Sequence, residues 1–319
     1  MLPNPYLDPA RVRAALRALE LRPARGMGQN FLVDPGALAT IVGAADVTRD
    51  DTVLEIGPGL GVLTWELLQR AGRVVAVELD KRLAARLREE FAGEPRLTII
   101  QGDILKLAPG DLVRDRGSAL TAQDQVVDPR SLPPAPWPYK VVANLPYAIT
   151  SAVLRHLLEA APPPALIVVL VQWEVAQRIT ARPGDLSVLA HSVQLYAAPE
   201  IVARVPAASF VPAPAVDSAV LRLRVRPRPA VDVPDVNGLM RVIKAGFLHA
   251  RKQLGNGLPG GLAAMGVRLE REQVAAALRA AGVEPSRRAE TLTLEEWAAV
   301  YQALQGYRML LRQGPEGPG

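Results

Sequence analysis

"DTVLEIGPGLGVLTWELLQRAGRVVAVELD", residues 51–80, carries the reading that decides the fold. It opens as a strand, breaks at a turn holding Gly57, Gly59 and Gly61, turns helical from Val62, and returns to an apolar run at Val74–Val77. Glycine reaches positive φ without strain and lets backbone approach a ligand closely. Strand, glycine turn, helix and strand in this order form a right-handed βαβ unit with parallel strands. A dinucleotide-binding fingerprint would need a glycine at position 62, where Val62 stands. The pattern is G-x-G-x-G, and no residue suited to hydride transfer accompanies it.

The same rhythm runs outward from this unit. "KRLAARLREEFAG" (81–93) reads as a helix, "RLTIIQGD" (96–103) as a strand, and "YKVVAN" (139–144) as another. "ITSAVLRHLLEAA" (149–161) is a helix, "ALIVVLVQ" (165–172) a strand and "WEVAQRIT" (173–180) a helix. Two further strands are expected within "SVQLYAAPEIVARVP" (192–206) and "SAVLRLRVRP" (218–227). The sum is an α/β domain with a mostly parallel sheet of about seven strands and helices on both faces. Helices are also expected at 9–21 and 35–45. Beyond Asp232 the periodicity is helical only, so residues 1–230 are expected as a catalytic domain and 231–319 as a small all-helical one with a frayed tail. The Pro-rich, aperiodic stretch 109–138 reads as a surface insertion.

Composition excludes several classes of function. The chain of 319 residues has no cysteine, which removes thiolate nucleophiles, disulfides and Cys-based zinc sites. His156, His191 and His249 lack metal-ligand spacing, so no metal is expected. The N-terminus lacks the apolar core of a signal peptide, and the longest apolar run, residues 165–171, is too short to span a bilayer. A cytoplasmic monomer without membrane association is expected. The net charge of +5 suits a polyanionic partner. Of 37 basic residues 32 are arginine, which fits either Arg-rich codon usage or selection for phosphate forks.

Ligands of open α/β sheets bind at the carboxyl ends of the strands. Glu78 closes the second strand, where a carboxylate can accept both hydroxyls of a ribose. Asp103 closes the third, placed for an adenine amine. Either acid alone is more often a helix cap or a solvated residue. The fourth strand ends in "NLPY", Asn144-Leu145-Pro146-Tyr147. An adenine amine is a poor nucleophile because its lone pair is delocalised into the ring. Two acceptors, the Asn144 amide oxygen and the Leu145 carbonyl, could hold its hydrogens and draw the nitrogen towards tetrahedral geometry. Pro146 would stiffen the turn, and Tyr147 would offer a face to an extruded base. The competing reading has Asn144 capping the next helix and Tyr147 packed into the core.

Together, "GQNFL" (28–32), "LEIGPGLGVLT" (54–64), "VELD" (77–80), "GDIL" (102–105), "NLPY" and "FVPAPAVDSAVLRL" (210–223) resemble the ribosomal RNA adenine dimethyltransferases, which are class I methyltransferases of Rossmann-like fold. The resemblance spans residues 9 to 305. It implies a cofactor, S-adenosylmethionine, held by Gln29, Asn30, Leu32, Glu55, Gly57, Gly59, Gly61, Glu78, Leu79, Asp103, Ile104 and Asn144. It implies a catalytic set of Asn144, Leu145, Pro146 and Tyr147, with Phe210 closing on the target base opposite Tyr147. It implies dimethylation of two adjacent adenines near the 3′ end of small-subunit (16S) rRNA within a pre-ribosomal particle, and RNA contacts at Lys244, Arg251 and Lys252. The chain departs from the family at Trp173, where a basic residue is common, at Ala148, and in a short loop at 181–186. Three other readings stay open: a large-subunit rRNA dimethyltransferase of the antibiotic-resistance branch, a DNA adenine methyltransferase, and a non-catalytic RNA-binding factor on the same fold.

Overall fold

The computed structural model describes residues 4–20, 30–114 and 139–305. In chain order the elements of the first part are α1 (Pro9–Ala18), β1 (Phe31–Leu32), α2 (Pro35–Ala45), β2 (Thr52–Ile56), α3 (Val62–Leu68), β3 (Arg73–Glu78), α4 (Lys81–Glu90), β4 (Leu97–Gln101) and α5 (Pro109–Val113). There follow β5 (Lys140–Asn144), α6 (Thr150–Leu158), β6 (Leu166–Gln172), α7 (Trp173–Ile179), α8 (Val188–Gln194), β7 (Ala197–Val205), β8 (Phe210–Val211) and β9 (Ser218–Val225). The sheet order is β4-β3-β2-β5-β6-β9-β7. The first five pair in parallel and β9 runs antiparallel to β6, with Gln172 opposite Ser218.

The central strands read as unbroken apolar runs because both their faces are covered. Val141, Val142 and Ala143 are fully buried, as are Ile167 to Val171. On one face Ile41 and Val42 of α2 and Leu67 of α3 pack with Val53, Val142, Val168 and Val220. Each such Leu or Ile contributes ~1.5–3 kcal/mol by leaving water. The helices start where sequence chemistry says they should. Asp34 accepts from the Gly36 and Ala37 N–H groups at the head of α2, and Asp80 accepts from Arg82 at the head of α4.

The chain divides into two compact units, residues 1–176 with 198–225, and residues 177–197 with 226–319. The second unit adds α9 (Val236–Leu248), α10 (Leu254–Ala264), α11 (Arg271–Ala280) and α12 (Leu294–Leu304). Its core holds Leu239, Ile243, Leu258, Leu278 and the fully buried Trp297. Leu195 belongs to that same core, and His191, 1% exposed, lies between the Ser187 and Leu292 carbonyl oxygens at 2.8 and 3.0 Å.

Two differences from the sequence reading have local causes. Residues 192–194 are helical, not strand: Ser187 caps α8 by accepting from the Ala190 N–H, and that cap outweighs a short β-prone run. Within the helical region, the chain leaves α9 at His249 and pairs Gln253 with Arg288 before α10 begins. The first residues of the expected insertion form α5, with Pro109 in its first turn; residues 115–138 lie outside the described residues, as does the tail.

Candidate active site

The glycine turn is tied to the ends of two strands. The Gly57 N–H donates to the Val77 carbonyl at 2.9 Å, and the Gly59 N–H donates to Glu78 Oε2 at 3.1 Å. Gly59 has φ +59°, and a Cβ there would stand 3.0 Å from Cε1 of Phe31, so a side chain would meet the ring as well as backbone strain. Gly61, at φ +88°, would place a Cβ 2.7 Å from Cε2 of Phe91. The turn is thus fixed from behind by aromatic rings and from the side by Glu78.

Two carboxyl groups close this part of the site. Glu78 is 5% exposed; its Oε1 accepts from the Asp80 N–H at 3.0 Å while Oε2 serves Gly59. Burial raises its pKa, against the lowering effect of those N–H donors. Glu55 is buried more deeply, at 1% exposed. Thr64 Oγ1 donates to its Oε2 at 2.7 Å, and its Oε1 is buried with no hydrogen-bond partner among the described residues. Burial pushes this carboxyl up to about 8. A buried carboxyl oxygen without a donor is costly, and a ligand bringing a cation or N–H to it would relieve that cost.

Asn144 ends β5 with its side-chain orientation set. Its Nδ2 donates to the Asn30 carbonyl at 2.9 Å. Asn30 is held in turn by the ribbon of β1 and β8, in which Phe31 pairs with Val211 and Leu32 with Phe210. The Val33 N–H donates to the Ser209 carbonyl at 2.9 Å, and Ser209 Oγ donates to Asp34 at 2.6 Å. With the amide nitrogen committed, Oδ1 is the atom left for a substrate. The Leu145 carbonyl accepts from no group among the described residues. The capping reading of Asn144 fails, because no side chain caps the turn at 147–149 or α6. Tyr147 is half-buried, its hydroxyl 2.7 Å from Ser218 Oγ, and burial raises its pKa.

A crevice at the carboxyl ends of β2 and β3 brings together Asn30, Leu32, Glu55, Gly57, Gly59, Glu78, Asn144 and Pro146. Gly61 ends the glycine turn at the head of α3 and does not line the crevice. Leu79 is 65% exposed, and Ile104 is buried at 4%. Asp103 caps the single turn 104–106 by accepting from the Leu105 N–H at 3.1 Å. Leu145 is buried, with its N–H donating to the Leu170 carbonyl at 3.3 Å. Phe210 is a correction: at 3% exposed it packs in the apolar core with Ile41 and Val220, because β8 pairs with β1 and turns the ring inward. Gln29 lies outside the described residues. Lys244 is exposed on α9, whereas Arg251 and Lys252 are exposed in the break before α10, so the three do not share one helix.

Two aromatic lining residues escaped the sequence reading. Phe31 sits inside the quoted "GQNFL" stretch, yet only the three-dimensional fold sets its ring against Gly59. Tyr6 reaches the crevice from the N-terminal turn, its hydroxyl donating to Glu90 at 3.1 Å and its ring stacked 5.6 Å from Phe91. Nothing in "PNPYLDP" signals this contact. Among the described residues no cluster of metal-ligating side chains occurs and no helix is long and apolar enough to cross a membrane.

Residues 23–305 match the family model described as ribosomal RNA adenine dimethylase. The chain is 44% identical over 299 residues to "Ribosomal RNA small subunit methyltransferase A" of Moorella thermoacetica, covering 93% of this chain and 98% of that one. It is 42% identical over 288 residues to the protein of the same name from Dehalococcoides mccartyi, covering 90% of each. Among solved structures, the 23S rRNA methyltransferase ErmE is similar, with a TM-score of 0.61 and 31% identity over 86% of this chain and 100% of that one. The sheet is that of a class I methyltransferase, and the chain belongs to the ribosomal RNA adenine dimethylase family.

Proposed function

We propose that this chain is an S-adenosylmethionine-dependent enzyme that dimethylates the exocyclic amines of two adjacent adenines near the 3′ end of small-subunit rRNA, within a pre-ribosomal particle in the cytoplasm. The observation that carries the chemistry is the hydrogen bond from Asn144 Nδ2 to the Asn30 carbonyl, which leaves Oδ1 as a committed acceptor. The choice of small-subunit RNA is supported by relatives of that name at 42% and 44% identity, against 31% for the large-subunit enzyme.

The residues of the crevice fit the cofactor. Glu55 Oε1, buried and without a donor, suits the α-ammonium of a methionine moiety, and Glu78 retains lone pairs for ribose hydroxyls. The glycine turn allows a ligand to lie against backbone. S-adenosylmethionine, when bound, supplies an electrophilic methyl group. The chain's own residues supply geometry. Asn144 Oδ1 and the Leu145 carbonyl hold the two amine hydrogens, so the nitrogen leaves the plane of the ring and its lone pair becomes available. Tyr147 stacks on the extruded base, its hydroxyl anchored to Ser218. Once the nitrogen carries the new carbon its proton is acidic and passes to water without a dedicated base. One hydrogen then remains for one of the two acceptors, and the same pocket can present the amine again.

Incubation of the purified chain and methyl donor with small-subunit particles lacking the modification tests this reading. Mapping of the product nucleosides should find dimethyladenine at two neighbouring small-subunit positions. Modification of a single large-subunit adenine, or of DNA alone, would overturn the substrate assignment, and binding without transfer would favour a non-catalytic factor.

A further inference from the structure

Past the NLPY turn, the carboxyl edge of the sheet carries a group of side chains that the methyl-transfer chemistry does not use. Trp173 follows β6 directly, and its backbone N–H donates to the Asp217 carbonyl at 3.0 Å. Asp217 accepts from Arg204 Nε through Oδ2 at 2.9 Å and from the Ala207 N–H through Oδ1 at 2.9 Å. The Arg204 guanidinium lies over the indole, 4.8 Å from the ring centroid. Its side chain is 58% exposed, and its two terminal nitrogens make no hydrogen bond among the described residues. Ser218, next to Asp217, shares the 2.7 Å hydrogen bond with the Tyr147 hydroxyl. With neighbouring strands ~4.8 Å apart and residues ~3.3 Å along them, this group lies within roughly 10 Å of the base platform.

An exposed arginine normally keeps most of its rotamer freedom, and a surface ion pair alone restrains it weakly. Here the indole, 4.8 Å from the guanidinium carbon, and the carboxylate at Nε both restrain the guanidinium, while 58% of the side chain stays exposed. Unpaired bases stack on such a plane, and its free N–H groups suit phosphate oxygens. We propose that Trp173 and Arg204 form a second nucleotide subsite, in which the unpaired nucleotide next to the target adenine stacks its base on the Arg204 guanidinium. The proposal rests on the adenine-methyltransferase reading above. It also gives two adjacent target adenines separate places: one on Tyr147, its neighbour parked on Arg204 instead of restacking on the first.

The test uses the full chain and a short single-stranded RNA with one adenine, its 5′ or 3′ neighbour replaced in turn by an abasic nucleotide. Fluorescence anisotropy should show that the parent binds one of the two abasic RNAs roughly 10-fold more weakly than the intact RNA. Arg204→Lys keeps the cation and loses the plane, so its penalty at the same position should fall below about 2-fold. Trp173→Leu, which removes the support, should behave likewise, and urea midpoints establish that both variants are folded. A parent without a penalty at either neighbour, failure of the parent to bind the intact RNA, or an equal penalty in Arg204→Lys would overturn the subsite. Parallel methylation of small-subunit particles by the parent separates the two readings, since transfer there with no abasic effect removes the subsite and leaves the enzyme assignment intact.

Discussion

Among the described residues, neither Asn144 Oδ1 nor Glu55 Oε1 has a hydrogen-bond partner. Asn144→Ala removes Oδ1, and with it one of the two acceptors proposed to shape the amine. Single-turnover transfer should fall ~10²–10³-fold while cofactor affinity, read by calorimetry, changes little. Asn144→Asp should do no better, because its second carboxylate oxygen would face the Asn30 carbonyl instead of donating to it. Glu55 makes a prediction about pH. Its carboxyl is pushed up to about 8 in the folded chain from an ordinary 4.5, so between those values the folded state holds a proton that the unfolded state has lost. Stability of the ligand-free chain should therefore decline as pH rises from about 5 to about 8, and Glu55→Gln should flatten that decline in urea titrations. A ligand ammonium beside Glu55 favours the carboxylate, so binding near neutral pH should release a proton. Calorimetry in buffers of different ionisation enthalpy reads this directly, and a buffer-independent heat would remove Glu55 from the ammonium site.

The short ribbon of β1 and β8 is the element that sets Asn144 from a distance. Asp34 caps α2 and also accepts from Ser209 across the ribbon, and these hydrogen bonds hold its carboxyl below the usual carboxylate range, with Ser209 contributing most. Asp34→Ala should cost about 1–2 kcal/mol at neutral pH through the lost cap and cross-link. The sign with pH is the reverse of Glu55. A lowered folded pKa gives stability that is present above the ordinary carboxylate range and lost on acidification, so parent and variant should converge as pH falls below about 4. Because the ribbon leads into Asn30, the same variant should lose more in methyl transfer than in cofactor affinity. Equal losses in both would mean that the ribbon serves stability alone.

On the scale of the whole chain, the second unit is discontinuous. Residues 177–197 supply Leu195 to its core and His191 to the Leu292 carbonyl, and the Ala230 N–H donates to the Leu195 carbonyl at 2.7 Å. A fragment of residues 231–319 alone should therefore lack a fixed tertiary structure, seen as loss of the near-UV signal of the buried Trp297, even though most of its helices are local in sequence. Arg251 and Lys252 make no ion pair among the described residues, which leaves both charges available to phosphate. Replacing both with alanine should reduce the slope of log affinity for small-subunit RNA against log salt by ~1–2 and leave cofactor binding unchanged.

Local patterns in the sequence determined the strand–glycine–helix unit, the mostly parallel sheet, and the strand ends at which Glu78 and Asn144 stand. Periodicity, caps and glycine turns act over a few residues, so a linear reading reaches them. The partners of those residues were beyond its reach. Asn30 lies 114 positions from Asn144, and Ser209 lies 175 from Asp34. The Phe210 ring turns inward only because β8 pairs with β1, and Trp173 meets Arg204 only because the ends of β6 and β7 lie beside the start of β9. These contacts form when separate segments close on one another, and the loop-closure and packing terms that select them leave no periodic mark on the chain.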